Sequence, residues 1–194
     1  MGRPLQKKNC NPEKDGVHFS LGKSTLSLLL KNILRMRTYS IEENHRIEHV
    51  IAGCRLCYVG MADENGKPYV LPMNFGYEKG MVYLHSAQEG HSISILEKNP
   101  QVCITFCTDP ALVWQDEEVA CSYRMRAESV ICYGKVMFEE DLDEKVKALN
   151  CIMRQYSDRE FSYSAPAVRN VKIWKVVLDE ISARELGMPS KVVR

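Results

Sequence analysis

The sequence predicts a mainly β protein, a small antiparallel barrel carrying a few short helices. Three observations point there. Six runs of alternating apolar and polar residues are long enough for strands. Gly, Asn, Asp and Pro clusters separate those runs at short intervals. Only three segments carry helical spacing, and they lie between strands rather than alternating regularly with them. Closing an antiparallel sheet into a barrel hides its edges. It also leaves a mouth or seam where a small ligand can sit.

Each element has a local cause. Ser40 and Glu43 read as a capping box that opens a helix near Ile41. Ile47, Val50, Ile51 and Cys54 then form one apolar stripe. Leu56 to Met61 is the first strand, and Asp63-Glu64-Asn65-Gly66 is a hairpin signal. Lys67 to Tyr77 is the second strand, Glu78-Lys79-Gly80 a turn, and Met81 to Ser86 the third strand. These three read as a meander of consecutive antiparallel strands. A short helix over His91 to Glu97 stops at Asn99-Pro100. Val102, Ile104 and Phe106 alternate as the fourth strand. Residues 109–121 read as a loop holding Trp114, and Ser129 to Phe138 is the fifth strand. Asp141 caps a helix in which Leu142, Val146, Leu149, Met153 and Tyr156 recur at helical spacing. A polar loop over Ser157 to Ala167 precedes the last strand, Val171 to Ile181. There is no internal repeat.

The 194 residues, 45% apolar and 26% charged, suit one globular domain with an extension. A net charge of +1 gives no basic footprint for nucleic acid. No apolar run approaches the ~20 residues of a membrane helix. Residues 1–35 hold seven basic and two acidic residues, so they read as a basic, flexible extension ahead of a domain over residues 36–194. No secretory signal is evident, so the eight cysteines are expected as reduced thiols in a cytoplasm.

Several motifs fail on inspection. Cys54 and Cys57 form a C-x-x-C without a second pair. At the start of a strand they would point to opposite faces, so they read as core thiols rather than zinc ligands. His45, Glu48 and His49 match H-x-x-E-H, but their helix face lies opposite the apolar stripe and looks to water. Gly22-Lys23-Ser24 lacks the upstream glycine of a phosphate loop, since position 17 is Val17. No metal site is expected. No nucleophile or paired-carboxylate machinery stands out, so an enzyme here would lean on a cofactor.

One constellation remains. Met81, Tyr83 and His85 share one strand face, and Val82, Leu84 and Ser86 the other. The chain then passes through Gly90 into a helix that opens with His91 and Ser92. Free N–H groups at a helix start attract phosphate. The junction is either a cradle for a phosphorylated cofactor or an ordinary strand–helix corner with a buried histidine.

The same residues carry a family resemblance. Tyr69-Val-Leu-Pro72-Met73-Asn74-Phe75-Gly76-Tyr77 comes first, then Val82-Tyr83-Leu84-His85-Ser86-Ala87 with Gly90-His91. Asn99-Pro100 follows, and Tyr123 to Ile131 with Gly134-Lys135-Val136 completes the series. In this order, across roughly residues 36–182, the blocks resemble the nitroimidazole-resistance branch of the pyridoxamine 5′-phosphate oxidase-like, flavin-binding split-barrel proteins.

The resemblance implies a six-stranded antiparallel split barrel of the FMN-binding type. It implies a homodimer with a flavin in each of two clefts between subunits, and reduction of nitroimidazoles or another small electrophile. Met73 and Asn74 would line the isoalloxazine edge through backbone groups. His85 and Ser86 would border the ribityl chain and phosphate, with His91 and Ser92 beyond. Relatives often place Lys or Arg where His91 stands. A histidine carries full charge only in acid, so the clamp is weaker and leaves room for FAD in place of FMN. His85 would be the catalytic candidate, either donating to charge that develops during reduction or only holding the cofactor. Tyr123 and Ser129 would reach the flavin across the dimer, and Trp114 would cap it or anchor its loop. The rival readings are a non-enzymatic flavin or haem binder, and a true pyridoxamine phosphate oxidase. The last lacks basic residues around Met73 and Asn74 for a second phosphate.

Overall fold

The computed structural model describes residues 37–188. The expected extension over residues 1–35 lies outside the described residues. In chain order the elements are β1 (Arg37–Ile41), α1 (Asn44–Ala52), β2 (Cys57–Ala62), β3 (Pro68–Met73), β4 (Gly76–Glu78) and β5 (Met81–Ala87). Then come α2 (His91–Leu96), β6 (Gln101–Cys107), β7 (Ala111–Val113), β8 (Arg124–Glu139), α3 (Leu142–Arg154), α4 (Ala165–Arg169) and β9 (Val171–Met188). A single 3₁₀ turn, Ala120–Ser122, sits between β7 and β8.

All pairings are antiparallel, and the strand order is β3-β2-β6-β8-β9-β5-β4. The two long strands act as hinges of the sheet. Along one edge, β9 pairs β5 through Val171–Val177 and β1 through its C-terminal end. Likewise β8 pairs β6 through Ser129–Lys135 and the short β7 through Arg124–Arg126. The edges of the main path are β3 and β4. Yet only Asn74 and Phe75 separate these two strands in sequence. Three peptide steps span at most about 11 Å, so the sheet curls until its edges nearly meet. This is a split barrel, and Asn74–Phe75 bridges the split.

That geometry corrects the meander. The stretch over residues 67–77 is two strands on opposite edges, and β5 pairs β9 rather than β3. The chain leaves β3 at the seam and joins β4 beneath α3. Gly76 makes the join feasible, because a Cβ there would lie 2.6 Å from the Cys151 backbone carbon. Phe75 fills the seam, fully buried and edge-on to Phe106, with ring centroids 4.8 Å apart. Its backbone N–H donates to Tyr156 Oη at 2.9 Å.

Other boundaries also moved. Ser40 pairs Arg184 within β1, so no capping box forms, and Glu43 caps α1 with backbone alone. Strand pairing satisfies the Ser40 backbone better than a helix cap would. The expected loop over residues 109–121 contains β7 and the 3₁₀ turn, and the last strand continues to Met188. Among the described residues the strands therefore number nine, where the sequence showed six. Asp141 does cap its helix, accepting from the N–H groups of Asp143 and Glu144.

The interior holds Val59, Ile104, Phe106, Val130, Cys132, Leu84 and Trp174, closed on one side by Ile47, Val50 and Ile51 of α1. Arg46 latches α1 to the sheet by bonding Glu128 at 2.7 Å and Glu185. A second layer forms where α3 covers β4 and β5. His45 and His49 are exposed, as the helix face requires. Cys54 lies beyond α1 instead of opening a strand, and its Sγ donates to Val50 O. Burial holds the Cys54 and Cys57 thiols near about 11 and about 12, so both stay protonated core groups.

Candidate functional site

The β4–β5 register locates the seam residues. Gly76 pairs Tyr83, Tyr77 pairs Val82 and Glu78 pairs Met81. Continued two residues past the end of β4, the same register sets Asn74 against His85. The ladder stops before that point, so both residues stand at the open seam. Met73 closes β3 just before it, half-buried against the interior, and its carbonyl accepts a weak bond from Cys57 Sγ at 3.5 Å. Asn74 is exposed. The start of α2 returns to the same edge strand. His91 lies edge-on to Tyr69 of β3, with centroids 4.8 Å apart and planes at 76°. Gly90, at φ +143°, turns the chain into α2 with open space where a Cβ would be. Ser92 follows, half-buried. Asn74 and His85 thus stand where the β4–β5 ladder ends, next to Met73, while His91 and Ser92 open α2 beside β3 at Tyr69.

His85 is the chemically unfinished member. Its Nδ1 is buried and has no hydrogen-bond partner among the described residues. Burial holds its pKa below the ordinary histidine value, so the ring is neutral at pH 7 and offers one N–H donor. A buried polar atom without a partner is costly, and a polar ligand at the seam would satisfy it. That fits a cofactor whose rim carries carbonyl, ring-nitrogen and phosphate groups.

Ser86 behaves differently. As the next residue it points to the opposite face of β5. Its Oγ accepts the buried Trp174 indole N–H at 3.0 Å and donates to Ala87 O at 2.8 Å. The hydroxyl is occupied by the indole and by Ala87 O, while the residue itself is paired with Lys172 of β9. Sequence reasoning missed Trp174 here, because alternation alone does not show which strand residue a buried indole will choose. It also missed Tyr69, whose contact with His91 depends on the curl of the sheet.

The remaining expected residues lie elsewhere. Trp114 and Tyr123 stack on each other at the end of the β7–β8 ribbon, with centroids 5.3 Å apart and an 18° interplanar angle. Ser129 sits on β8 between Cys107 and Arg184. Two strands, β2 and β6, separate β3 from β8, three inter-strand steps of about 14 Å across the sheet. The single chain therefore splits the expected set into two groups.

The hollows of the protomer do not rejoin them. One of about 620 Å³ lies between β1, α1 and β9, lined by Ile41, Ile47, Tyr77 and Ile181 among others. Another of about 320 Å³ adjoins Glu128 and Glu185. Neither includes a seam residue or the stacked aromatic pair. Among the described residues, no group of three or more His, Cys, Asp or Glu is placed to hold a metal. No helix among them is long and apolar enough to cross a membrane.

Comparison with known proteins bears on this geometry. Residues 43–185 match the family model described as pyridoxamine 5′-phosphate oxidase. The fold and sequence are similar to a proposed 5-nitroimidazole antibiotic resistance protein from Bacteroides thetaiotaomicron VPI-5482. That similarity has 51% identity and a TM-score of 0.72, and it covers 78% of this chain and 89% of that one. The flavocytochrome Anf3 from Azotobacter vinelandii shares the fold at 21% identity and TM-score 0.64, over 75% of this chain and 68% of that one. A FAD and haem binding protein from Mycobacterium smegmatis shares it at 14% identity and TM-score 0.67, over 79% and 76%. No curated protein matches the chain.

Proposed function

Because the chain belongs to the pyridoxamine 5′-phosphate oxidase family, we propose that it is a homodimeric, cytoplasmic, flavin-dependent oxidoreductase that reduces a small electrophile such as a nitroimidazole. The observation that carries this reading is the unpartnered, buried Nδ1 of His85 at the barrel seam. A neutral ring there holds a donor toward a ligand without bringing a buried charge. The flavin, when bound, supplies the electron transfer; FMN is the first expectation and FAD the second.

The chain's own residues bind and orient. The Asn74 backbone, just past the Met73 end of the β3 ladder, offers polar groups to a flat ring edge. His91 and Ser92 face the anionic end. His85 gives a hydrogen bond that strengthens as charge develops on the group being reduced. Ser129 would serve the cofactor of the partner subunit, since within one protomer it stands apart from the seam. The outer sheet face supports such an assembly. Tyr58 on β2, Val70 on β3 and Tyr133 on β8 are large exposed side chains, and exposed apolar residues of this kind suit an interface. The seven described cysteines are free, as a reducing cytoplasm would leave them.

The test begins with the visible spectrum of the purified protein, before and after denaturation. A flavin spectrum with released FMN or FAD, followed by NAD(P)H-dependent loss of nitroimidazole, is the expected result. A Soret band without reductase activity would favour the haem-binding alternative, which the shared fold of the flavocytochrome and the FAD and haem protein keeps in view. A colourless protein that takes up no flavin would overturn the proposal. Light scattering should give twice the chain mass.

A further inference from the structure

The β7–β8 ribbon carries a recognition surface independent of the seam. Trp114 is 48% exposed and Tyr123 37%, yet the two rings are already stacked on each other. Leu112, Val119 and Met125 extend the apolar surface around them. Exposed aromatics in a loop ordinarily sample many rotamers; these are held. Tyr123 Oη donates to Glu117 O at 3.0 Å. Ser122 Oγ donates to Asp116 O at 2.6 Å and accepts from Asp116 N–H at 3.2 Å. Glu118 N–H donates to Asp116 Oδ1 at 2.9 Å. The loop that positions the rings is thus closed by its own polar bonds, and the outer ring face needs no reordering to accept a flat ligand.

The charge around the rings is one-sided. Asp116, Glu117 and Glu118 all lie exposed on the loop that joins the two rings. Arg124 is turned away, its Nε donating to Gly187 O at 2.8 Å and its Nη1 to Ser122 O at 3.4 Å. Arg126 stands at the other end of the ribbon, opposite Ala111. Electron-rich indole and phenol faces attract a cation, and the nearby carboxylates add to that attraction.

We propose that Trp114 and Tyr123 form a stacking platform selective for planar aromatic cations, such as N-alkylated pyridinium or imidazolium rings. If the chain is the flavin-dependent reductase proposed above, the platform biases its choice of electrophile toward cationic heteroaromatics and against anionic ones. The binding claim itself does not need the flavin.

A series with one ring and three charges tests it: 1-methylnicotinamide (cation), nicotinamide (neutral) and nicotinate (anion). Binding to the full-length protein is followed by calorimetry and by tryptophan emission. Only two tryptophans are present, and Trp174 is fully buried, so the emission change reports on Trp114. The cation should bind about fivefold more tightly than the neutral ring, and the anion more weakly still. Glu117→Gln with Glu118→Gln should bring the cation-to-neutral ratio toward one at unchanged thermal stability. Trp114→Ala should abolish binding, and Trp114→Phe should retain much of it. Equal affinity for all three ligands, or undiminished binding to Trp114→Ala, would overturn the platform. So would a Trp114 emission that neither ligand nor iodide can quench because a second copy covers the ring. Reductase failure with intact cation selectivity would sink the oxidoreductase reading alone. Intact turnover with no charge preference would sink the platform alone.

Discussion

The barrel seam and the β7–β8 ribbon solve opposite problems. At the seam, two sheet edges approach closely, so the residues there are chosen for volume. Phe75 is buried, Gly76 tolerates no side chain, and Tyr156 Oη accepts from the Phe75 backbone N–H that the missing ladder leaves open. At the ribbon, two strands extend beyond the main sheet, so apolar rings stay in water and polar bonds within the loop hold their place. The comparison teaches where this fold keeps stability and where it keeps recognition. Changes at the seam should cost stability; changes on the ribbon should leave stability alone and alter binding.

Two seam substitutions should show the largest effects. Phe75→Ala should lower unfolding free energy by about 3–5 kcal/mol, the cost of removing a buried aromatic and leaving a cavity. Gly76→Ala should cost about 3 kcal/mol, because the new Cβ meets backbone that belongs to α3 and has little room to retreat. Urea titrations of both variants give the answer. A loss below about 1 kcal/mol for either would mean that the seam is loose and the contrast with the ribbon is false.

His85 sits between the two extremes, buried like the seam yet unsatisfied like a binding surface. Replacing it with Gln should reduce turnover well beyond any change in stability. Unchanged kinetics would make it scaffold. The pH dependence sharpens the point. Burial lowers its pKa in the folded state, so below the ordinary value of about 6.5 the unfolded chain takes up the proton first. The folded protein should keep its full stability above that pH and lose some as pH falls through the lowered value. Urea midpoints of the flavin-free protein between pH 7 and 5 should fall further for the parent than for His85→Gln. Parallel curves would show that the ring is not buried in solution.

Much of the seam was legible in the sequence, and its closure was not. Alternation fixed the runs around Val59, Val82 and Ile104, and Asp141 announced α3. The blocks at Met73-Asn74 and His85-Ser86 identified the site candidates through resemblance. What local patterns could not reveal is which strands pair. The Lys67–Tyr77 run reads as one strand because nothing in Asn74-Phe75 signals a break; the break arises from curling the whole sheet. The partners of Ser86 and His91, which are Trp174 and Tyr69, depend on the same long-range register. The capping box at Ser40 failed for a related reason, since β9 claimed that backbone through its pairing with Arg184.

The smallest expected effect is at Asn74, and it divides the seam more finely. Its side chain is exposed, while its position in the interrupted ladder is what sets its backbone free for a ligand. Asn74→Ala preserves that backbone and removes an amide turned toward water. Stability should stay within about 0.5 kcal/mol of the parent, as for surface positions generally, and flavin retention through gel filtration should change less than about twofold. Asn74→Pro removes the N–H and constrains the bridge between β3 and β4, so it should lose flavin where Ala does not. If Ala alone releases the cofactor, the amide is a direct ligand, and the seam recognises flavin by side chain rather than by the broken ladder.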